Sequence, residues 1–205
     1  ICGVVKATGS VRFDGVEISD MSVQARSRLG LSRTFQNLSL HSDRTVVENV
    51  MIGMNRLINY GTVAEMLRLP QVRRIEKEIY DEAMEMLGLV GMQPYADRLV
   101  SDLPYGLQKR VEIARAVSWH PRVLMLDEPA AGIPSVEADR IIGRTIEIAR
   151  KEGITVVLIE HNMEVVAKYA ERVAVLTHGK LLTEGLPSEV LKNSAVIEAY
   201  LGADD

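Results

Sequence analysis

Two continuous apolar runs, each stopping at charged residues and separated by one amphipathic segment, constrain this chain more than any other feature. Val123-Leu124-Met125-Leu126 ends at Asp127-Glu128-Pro129, and Ile154 to Ile159 ends at Glu160-His161. Runs this short and unbroken read as parallel strands buried on both faces. Between them, residues 135 to 152 place Ile141, Ile142 and Ile146 on one side, with Gly153 as the stop, the separation that a right-handed crossover needs. Open parallel sheets gather ligands beyond the carboxyl ends of their strands, which directs attention to the residues that close the two runs.

The other segments fit around this unit. Val11-Arg12-Phe13 and Val16-Glu17-Ile18 flank Asp14-Gly15 and predict a peripheral antiparallel hairpin. Leu29 to Phe35 predicts a strand that delivers Gln36 to a loop. Thr45-Val46-Val47-Glu48 is a capping box, followed at helical spacing by Val46, Val50, Met54 and Leu57. Val72, Ile75, Ile79, Ala83 and Met86 predict an amphipathic helix from Gln71 to Leu87, closed by Gly88. Val173 to Leu176 turns through His178-Gly179 into Leu181-Leu182, and Pro187 opens a short helix that precedes another from Val196 to Leu201. Residues 45 to 100 are thus mainly helical and those after 105 alternate, as in a helical subdomain inserted in an α/β domain. Ile1-Cys2-Gly3 reads as the end of an apolar helix, so that the chain begins inside a domain.

Charge and composition exclude some partners. With 24 Lys+Arg against 28 Asp+Glu the formal charge is −4, which argues against nucleic acid as a partner. Apolar residues make up 47% of the 205, enough for one sizeable core, and no apolar run reaches the roughly 18 residues of a membrane span. The single Cys2 cannot form an internal disulfide and suits a reducing compartment.

The residues able to do chemistry cluster at the predicted strand ends. Asp127 can hold Mg²⁺ beside a polyphosphate and Glu128 can orient or deprotonate an attacking water, although an acidic turn after a strand is the plainer alternative. His161, alone among the histidines, ends a strong strand; it can donate to a phosphate or cap the next helix. Pro104-Tyr105-Gly106-Leu107-Gln108 opens a helix with apolar positions Leu107, Val111, Ala114 and Val117. Its N-terminal N–H groups favour an anion, and an ordinary capped core helix is the alternative.

The ordered combination of Gln36, a helical insert, Leu103 to Ala116, Arg122 to Pro129 and Val157 to His161 resembles the ATP-binding subunit of ABC transporters over essentially the whole chain. Tyr105, Ala130-Ala131-Gly132, Glu160-His161-Asn162-Met163 and the ending Val196 to Gly202 are similar to the ATPases of branched-chain amino-acid importers. The resemblance implies a P-loop NTPase-like, mostly parallel sheet with the peripheral hairpin and the inserted helices. It divides the chain into a partial ATPase core with the Q-loop over 1 to 44, a helical subdomain with the signature motif over 45 to 118, and further core over 119 to 205. By matching position, Asp127 takes the Walker B role on Mg²⁺, Glu128 that of catalytic base, Gln36 that of Q-loop glutamine at the metal and water, and His161 that of switch histidine at the γ-phosphate. Pro104, Tyr105, Gly106, Leu107 and Gln108 take the role of the signature that covers ATP held by a second ATP-binding subunit. Partners implied are that subunit, the transmembrane permease reached through the region of about residues 37 to 50 and the helical subdomain, and indirectly a substrate-binding protein. The implied location is the inner face of the cell membrane.

Two readings compete with a transport motor: a non-catalytic module that docks on a permease or partner ATPase, and an ATPase of DNA repair or chromosome maintenance. The latter lacks a coiled coil, a Cys-rich zinc insert and a basic face. The sequence also departs from the family pattern. Pro104 replaces a common serine and removes one hydroxyl donor, and Pro134 stands where Asp or Asn is usual. The 205 residues contain no Gly-rich phosphate loop with its lysine and hydroxyl residue, which the family would carry ahead of Ile1. Its backbone N–H groups and lysine cradle the phosphates. These 205 residues by themselves are therefore expected neither to bind Mg-ATP tightly nor to hydrolyse it at a useful rate, and a calorimetric titration showing tight Mg-ATP affinity overturns that expectation.

Overall fold

The computed structural model describes residues 1–5, 8–34, 38–54, 70–129 and 131–201, and Leu57, the last position of the expected helical series after Thr45, lies outside the described residues. The chain divides into two compact units, Ile1–Val157 and Leu158–Asp205.

The first unit opens with the hairpin β1 (Arg12–Phe13) and β2 (Val16–Glu17), paired Arg12 to Glu17 and Phe13 to Val16 around Asp14-Gly15. Ile18, 1% exposed, leaves the hairpin to pack against Leu31 and Met125. A six-residue helix that the apolar pattern does not announce, α1 (Val23–Arg28), follows the N-cap Ser22. From it Arg26 turns inward, donating from Nε to the Met21 carbonyl at 3.0 Å and from Nη2 to the Ser19 carbonyl at 2.5 Å, and also to the Ile1 carbonyl. Residues Ile1 to Val5 are irregular chain instead of the expected helix end, and the buried Arg26 guanidinium takes the Ile1 carbonyl.

β3 (Leu31–Arg33) pairs in parallel with β4 (Val123–Asp127), matching Leu31 to Val123 and Arg33 to Met125. The expected strand from Leu29 is shorter, because Gly30 still belongs to the turn that accepts from the N–H groups of Arg122 and Val123. β5 (Thr155–Ile159) is the third strand of the order β3-β4-β5. β4 is buried as expected, whereas β5 alternates, with Val157 39% and Ile159 56% exposed. Among the described strands β5 lies at the sheet edge, and the side chains of Thr155, Val157 and Ile159, which share one face, are exposed.

α2 (Val46–Gly53) begins as the sequence predicts: the Glu48 N–H donates to Thr45 Oγ1 at 3.3 Å, and Glu48 Oε2 accepts from the Thr45 N–H at 2.8 Å. Buried Asn49 pins the preceding loop, donating to the His41 carbonyl at 3.0 Å and accepting from the His41 N–H at 2.8 Å. α3 (Pro70–Leu89) runs past Gly88, and the left-handed turn falls at Gly91, φ 70°. Gly88 answers a packing need: a Cβ there would lie 2.9 Å from Nε2 of Gln93, which donates to the Met84 carbonyl. α4 (Tyr105–Val117) packs with α2 and α3 around Val50, Met54, Ala83, Leu87 and Val111, all essentially without exposure. α5 (Ser135–Lys151) then buries Ile141, Ile142 and Ile146 and crosses from β4 to β5.

The second unit carries α6 (Met163–Tyr169), the antiparallel pair β6 (Val173–Thr177) and β7 (Lys180–Gly185) turning at His178-Gly179, then α7 (Pro187–Val190) and α8 (Ser194–Leu201). Val165, Val190 and Val196 are buried in it. Among the described residues no helix is long and apolar enough to cross a membrane.

Replacing Thr45 by Ala should cost about 1 kcal/mol, the usual value of an N-cap, in urea unfolding. The hydrogen bond from the Thr45 N–H holds the Glu48 carboxyl below its ordinary value of 4.5. A depressed folded-state pKa stabilises above the unfolded value and ceases to as pH falls through the folded one. The Thr45→Ala chain keeps this main-chain donor, so the pH-dependent part is read with Glu48→Ala: the stability difference between wild type and Glu48→Ala should narrow as pH falls below about 4.5.

Candidate functional site

β4 brings Asp127 to the rim of the sheet because Leu124 and Leu126, at most 1% exposed, must stay inside it. Parallel register sets Arg33 beside Met125, and residues two apart on a strand share a face, so Arg33 reaches Asp127. Its Nη2 lies 2.7 Å from Asp127 Oδ2, with both side chains partly buried, and the Asp127 N–H donates to Thr34 Oγ1 at 3.4 Å. The sequence offered one signal for this pair, a lone cation in a short strand otherwise carrying Leu31 and Ser32, and the apolar pattern passed over it.

Glu128 follows in a left-handed backbone conformation, φ 45°. Among the described residues three other non-glycine positions share this region. Asp14 and His178 open the two hairpin turns, and His120 follows the end of α4. Glu128 instead sits directly beyond a buried parallel strand, where its carbonyl accepts from the Ala131 N–H at 3.1 Å. Holding an L-residue there costs roughly 1–2 kcal/mol, and strain of this sort collects at functional positions.

Pro104 supplies the N-cap of α4 with no side-chain hydrogen bond; its carbonyl instead accepts from the N–H groups of Leu107 and Gln108. The N–H groups of Tyr105 and Gly106 belong to the first turn, which has no intrahelical acceptors. Gly106 is in close contact: a Cβ there would lie 2.5 Å from Glu137 Oε1. The Tyr105 ring stands 3.7 Å from the Cβ direction of Gly132, so the start of α4 and the loop after Glu128 meet within one chain. Gln108 does not point outward freely; its Nε2 donates to the Leu103 carbonyl at 2.8 Å. One turn on, Lys109 and Glu112 form a buried ion pair at 3.3 Å, with side chains 1% and 2% exposed, and the Lys109 ammonium also lies 5.8 Å from the Tyr105 ring centre. Apolar patterning missed this pair, whose signal was opposite charges three residues apart on a helix.

In the second unit His161 is exposed and does not cap α6: Asn162 Oδ1 does so, accepting from the Glu164 and Val165 N–H groups at 2.9 and 3.4 Å. Gln36 lies outside the described residues. A magnesium ion that also bridges substrate phosphates needs only one or two carboxylates, and a strand-end Asp127 meets that demand with a hard oxygen donor. Among the described residues no group of three or more His, Cys, Asp or Glu could form an all-protein metal cage.

The ABC transporter family model matches residues 1–131. The chain belongs to the ATP-binding family of ABC transporters. A second model, for the branched-chain amino acid ATP-binding cassette transporter, matches residues 180–205. The high-affinity branched-chain amino acid transport ATP-binding protein BraF of Pseudomonas aeruginosa is 37% identical over 203 residues, 98% of this chain and 80% of that protein. LivG of Escherichia coli K12, a protein of the same description, is 34% identical over the same spans. Among solved structures, a nucleotide-free ATP-binding cassette from an ABC transporter superposes with a TM-score of 0.81 at 29% identity, and an ADP-bound conformation of such a cassette with 0.80 at 29%; each match covers 98% of this chain and 80% of the other. The α/β fold is thus that of ABC cassettes, and family membership carries nucleotide binding with it.

Replacing Lys109 by Met should destabilise the chain by about 3–5 kcal/mol, because it removes the ammonium that faces the buried Glu112 carboxylate. Lys109→Met combined with Glu112→Leu should recover most of that loss in denaturant unfolding.

Proposed function

We propose that this chain belongs to an ATP-binding and ATP-hydrolysing subunit that powers an ABC importer, with branched-chain amino acids as the cargo class, and that these 205 residues by themselves turn over no ATP for want of a phosphate loop. The cargo follows the similarity to BraF and LivG and the match of residues 180–205. The chemistry rests on one observation, the strained Glu128 set immediately beyond Asp127 at the end of a buried strand.

Asp127, oriented by Arg33 and by the Thr34 hydroxyl, is the carboxylate that would hold Mg²⁺. The bound metal would neutralise developing charge on the β- and γ-phosphate oxygens. Glu128, held in a left-handed backbone conformation directly after Asp127, takes the proton of an attacking water. Gln36 is assigned to the metal and water, and His161 to the γ-phosphate. Tyr105 and Gly106 offer first-turn N–H groups to the terminal phosphate of ATP on a second subunit, with Pro104, Leu107 and Gln108 setting the shape of that turn. Two cassettes would pair about a twofold axis with two nucleotides between them.

Coupling to a permease is supported by how α4 is anchored. Arg115, near its end, donates from Nη1 to the Ser39 carbonyl at 2.9 Å and from Nη2 to Ser39 Oγ at 2.7 Å. Ser39 lies just after the Q-loop, in the stretch assigned to permease contact, so motion there is felt by the helix that covers nucleotide. We assign residues 1 to 44 and 119 to 205 to the ATPase core and 45 to 118 to the helical subdomain, with the subunit bound to the permease at the inner face of the membrane.

In a protein whose phosphate loop completes this site, Glu128→Gln should keep ATP binding, reduce turnover by roughly 100-fold or more and accumulate a nucleotide-bound dimer. Single-turnover hydrolysis and size-exclusion chromatography read the two effects, and near-normal hydrolysis would remove Glu128 from the role of base.

A further inference from the structure

Away from the acidic strand end, the C-terminus of α3, the middle of α4 and the first half of α5 enclose a cleft of about 430 Å³. Its floor is apolar, formed by Val90, Ile113 and Ile141, each at most 7% exposed. Its rim carries three guanidinium groups, Arg110, Arg140 and Arg144. Three cations around one opening repel each other unless neighbouring charge compensates them.

Only one of them is compensated within the described residues. Arg144 Nε donates to the Leu89 carbonyl at 2.7 Å, at the negative end of α3, and its Nη1 pairs with Glu147 at 3.0 Å. Arg110 and Arg140 make no hydrogen bond or ion pair there. Glu137, three residues before Arg140, lies against Gly106 instead of on either guanidinium.

The geometry points to a binding site in this cleft for a small amphiphilic anion, a phosphate or carboxylate head on an apolar body. Guanidinium forks bind both head groups in bidentate fashion. The floor would bury the body, and the volume lies within the range of small-molecule clefts. Two uncompensated cations beside the carbonyl end of a helix match a head of one or two charges and oppose a long polyanion. An occupant would brace α3 and α4 against α5. This inference stands apart from the nucleotide motifs and from the transport reading.

Phenyl phosphate and phenylacetate, titrated calorimetrically into the full chain, test the site, with inorganic phosphate as the head alone and benzyl alcohol as the body alone. Saturable one-to-one binding of at least one amphiphilic probe is expected, about tenfold or more tighter than either fragment. A preference for phenyl phosphate identifies a phosphate ligand and the reverse a carboxylate. Arg110→Gln and Arg140→Gln should each weaken binding about tenfold, while Arg73→Gln, some four turns away along α3, should leave it unchanged. Arg140 is exposed, so its replacement leaves the core intact. No saturable binding, inorganic phosphate binding as tightly as phenyl phosphate, or wild-type affinity in Arg140→Gln overturns the inference.

Discussion

Parallel pairing of β3 with β4 is the constraint on which the candidate site depends. Leu124 and Leu126 cannot leave the interior without exposing the face that the helices cover, so the change from apolar to acidic residues must occur where β4 reaches the rim. The same register decides which side chain meets Asp127. Arg33 pairs with Met125, and the alternation of strand side chains puts Asp127 on its side. A slip of one residue would turn Arg33 to the other face and leave Asp127 without its cation.

The sheet is tied to α4 by a hydrogen bond that no local pattern foretells. Ser32 Oγ, buried beside Arg33, donates to the Ala116 carbonyl at 2.8 Å, in the last turn of α4. At the other end of the helix, Tyr105 meets the loop that follows Glu128. α4 is therefore held against the strand that bears Arg33 and against the loop beyond the acidic pair. The buried Lys109–Glu112 pair fixes the turn between these anchors, since a charge taken out of water needs its partner at hand. The role proposed for this helix, reaching nucleotide with its first turn, calls for such firm holding.

Much of this was legible in the chain. The run from Val123 to Leu126, the isoleucine stripe of α5, the capping box at Thr45 and the two X-Gly hairpin turns each report a local physical preference that the fold obeys. Prediction failed where a tertiary contact outweighed the local signal. Gly88 looked like a helix stop, yet it is a point of close approach for Gln93, and α3 passes through it. β5 looked like a strand buried on both faces, but its composition could not say how much of each face its neighbours cover. α1 has too few apolar positions to show a period and is set by Ser22 and the inward turn of Arg26.

The sequence by itself determined the crossover, the helices α2 and α3, the identity of Asp127 and Glu128 as strand-end carboxylates, and the helix that begins at Tyr105. All follow from interactions between residues a few positions apart: hydrophobic period, capping and turn chemistry. Only the tertiary structure decided that Arg33 holds Asp127, that Glu128 is strained, that Asn162 and not His161 caps α6, and that Arg110 and Arg140 share a cleft. These depend on register, on backbone dihedrals and on helices brought together from distant parts of the chain, and none leaves a periodic trace in one dimension.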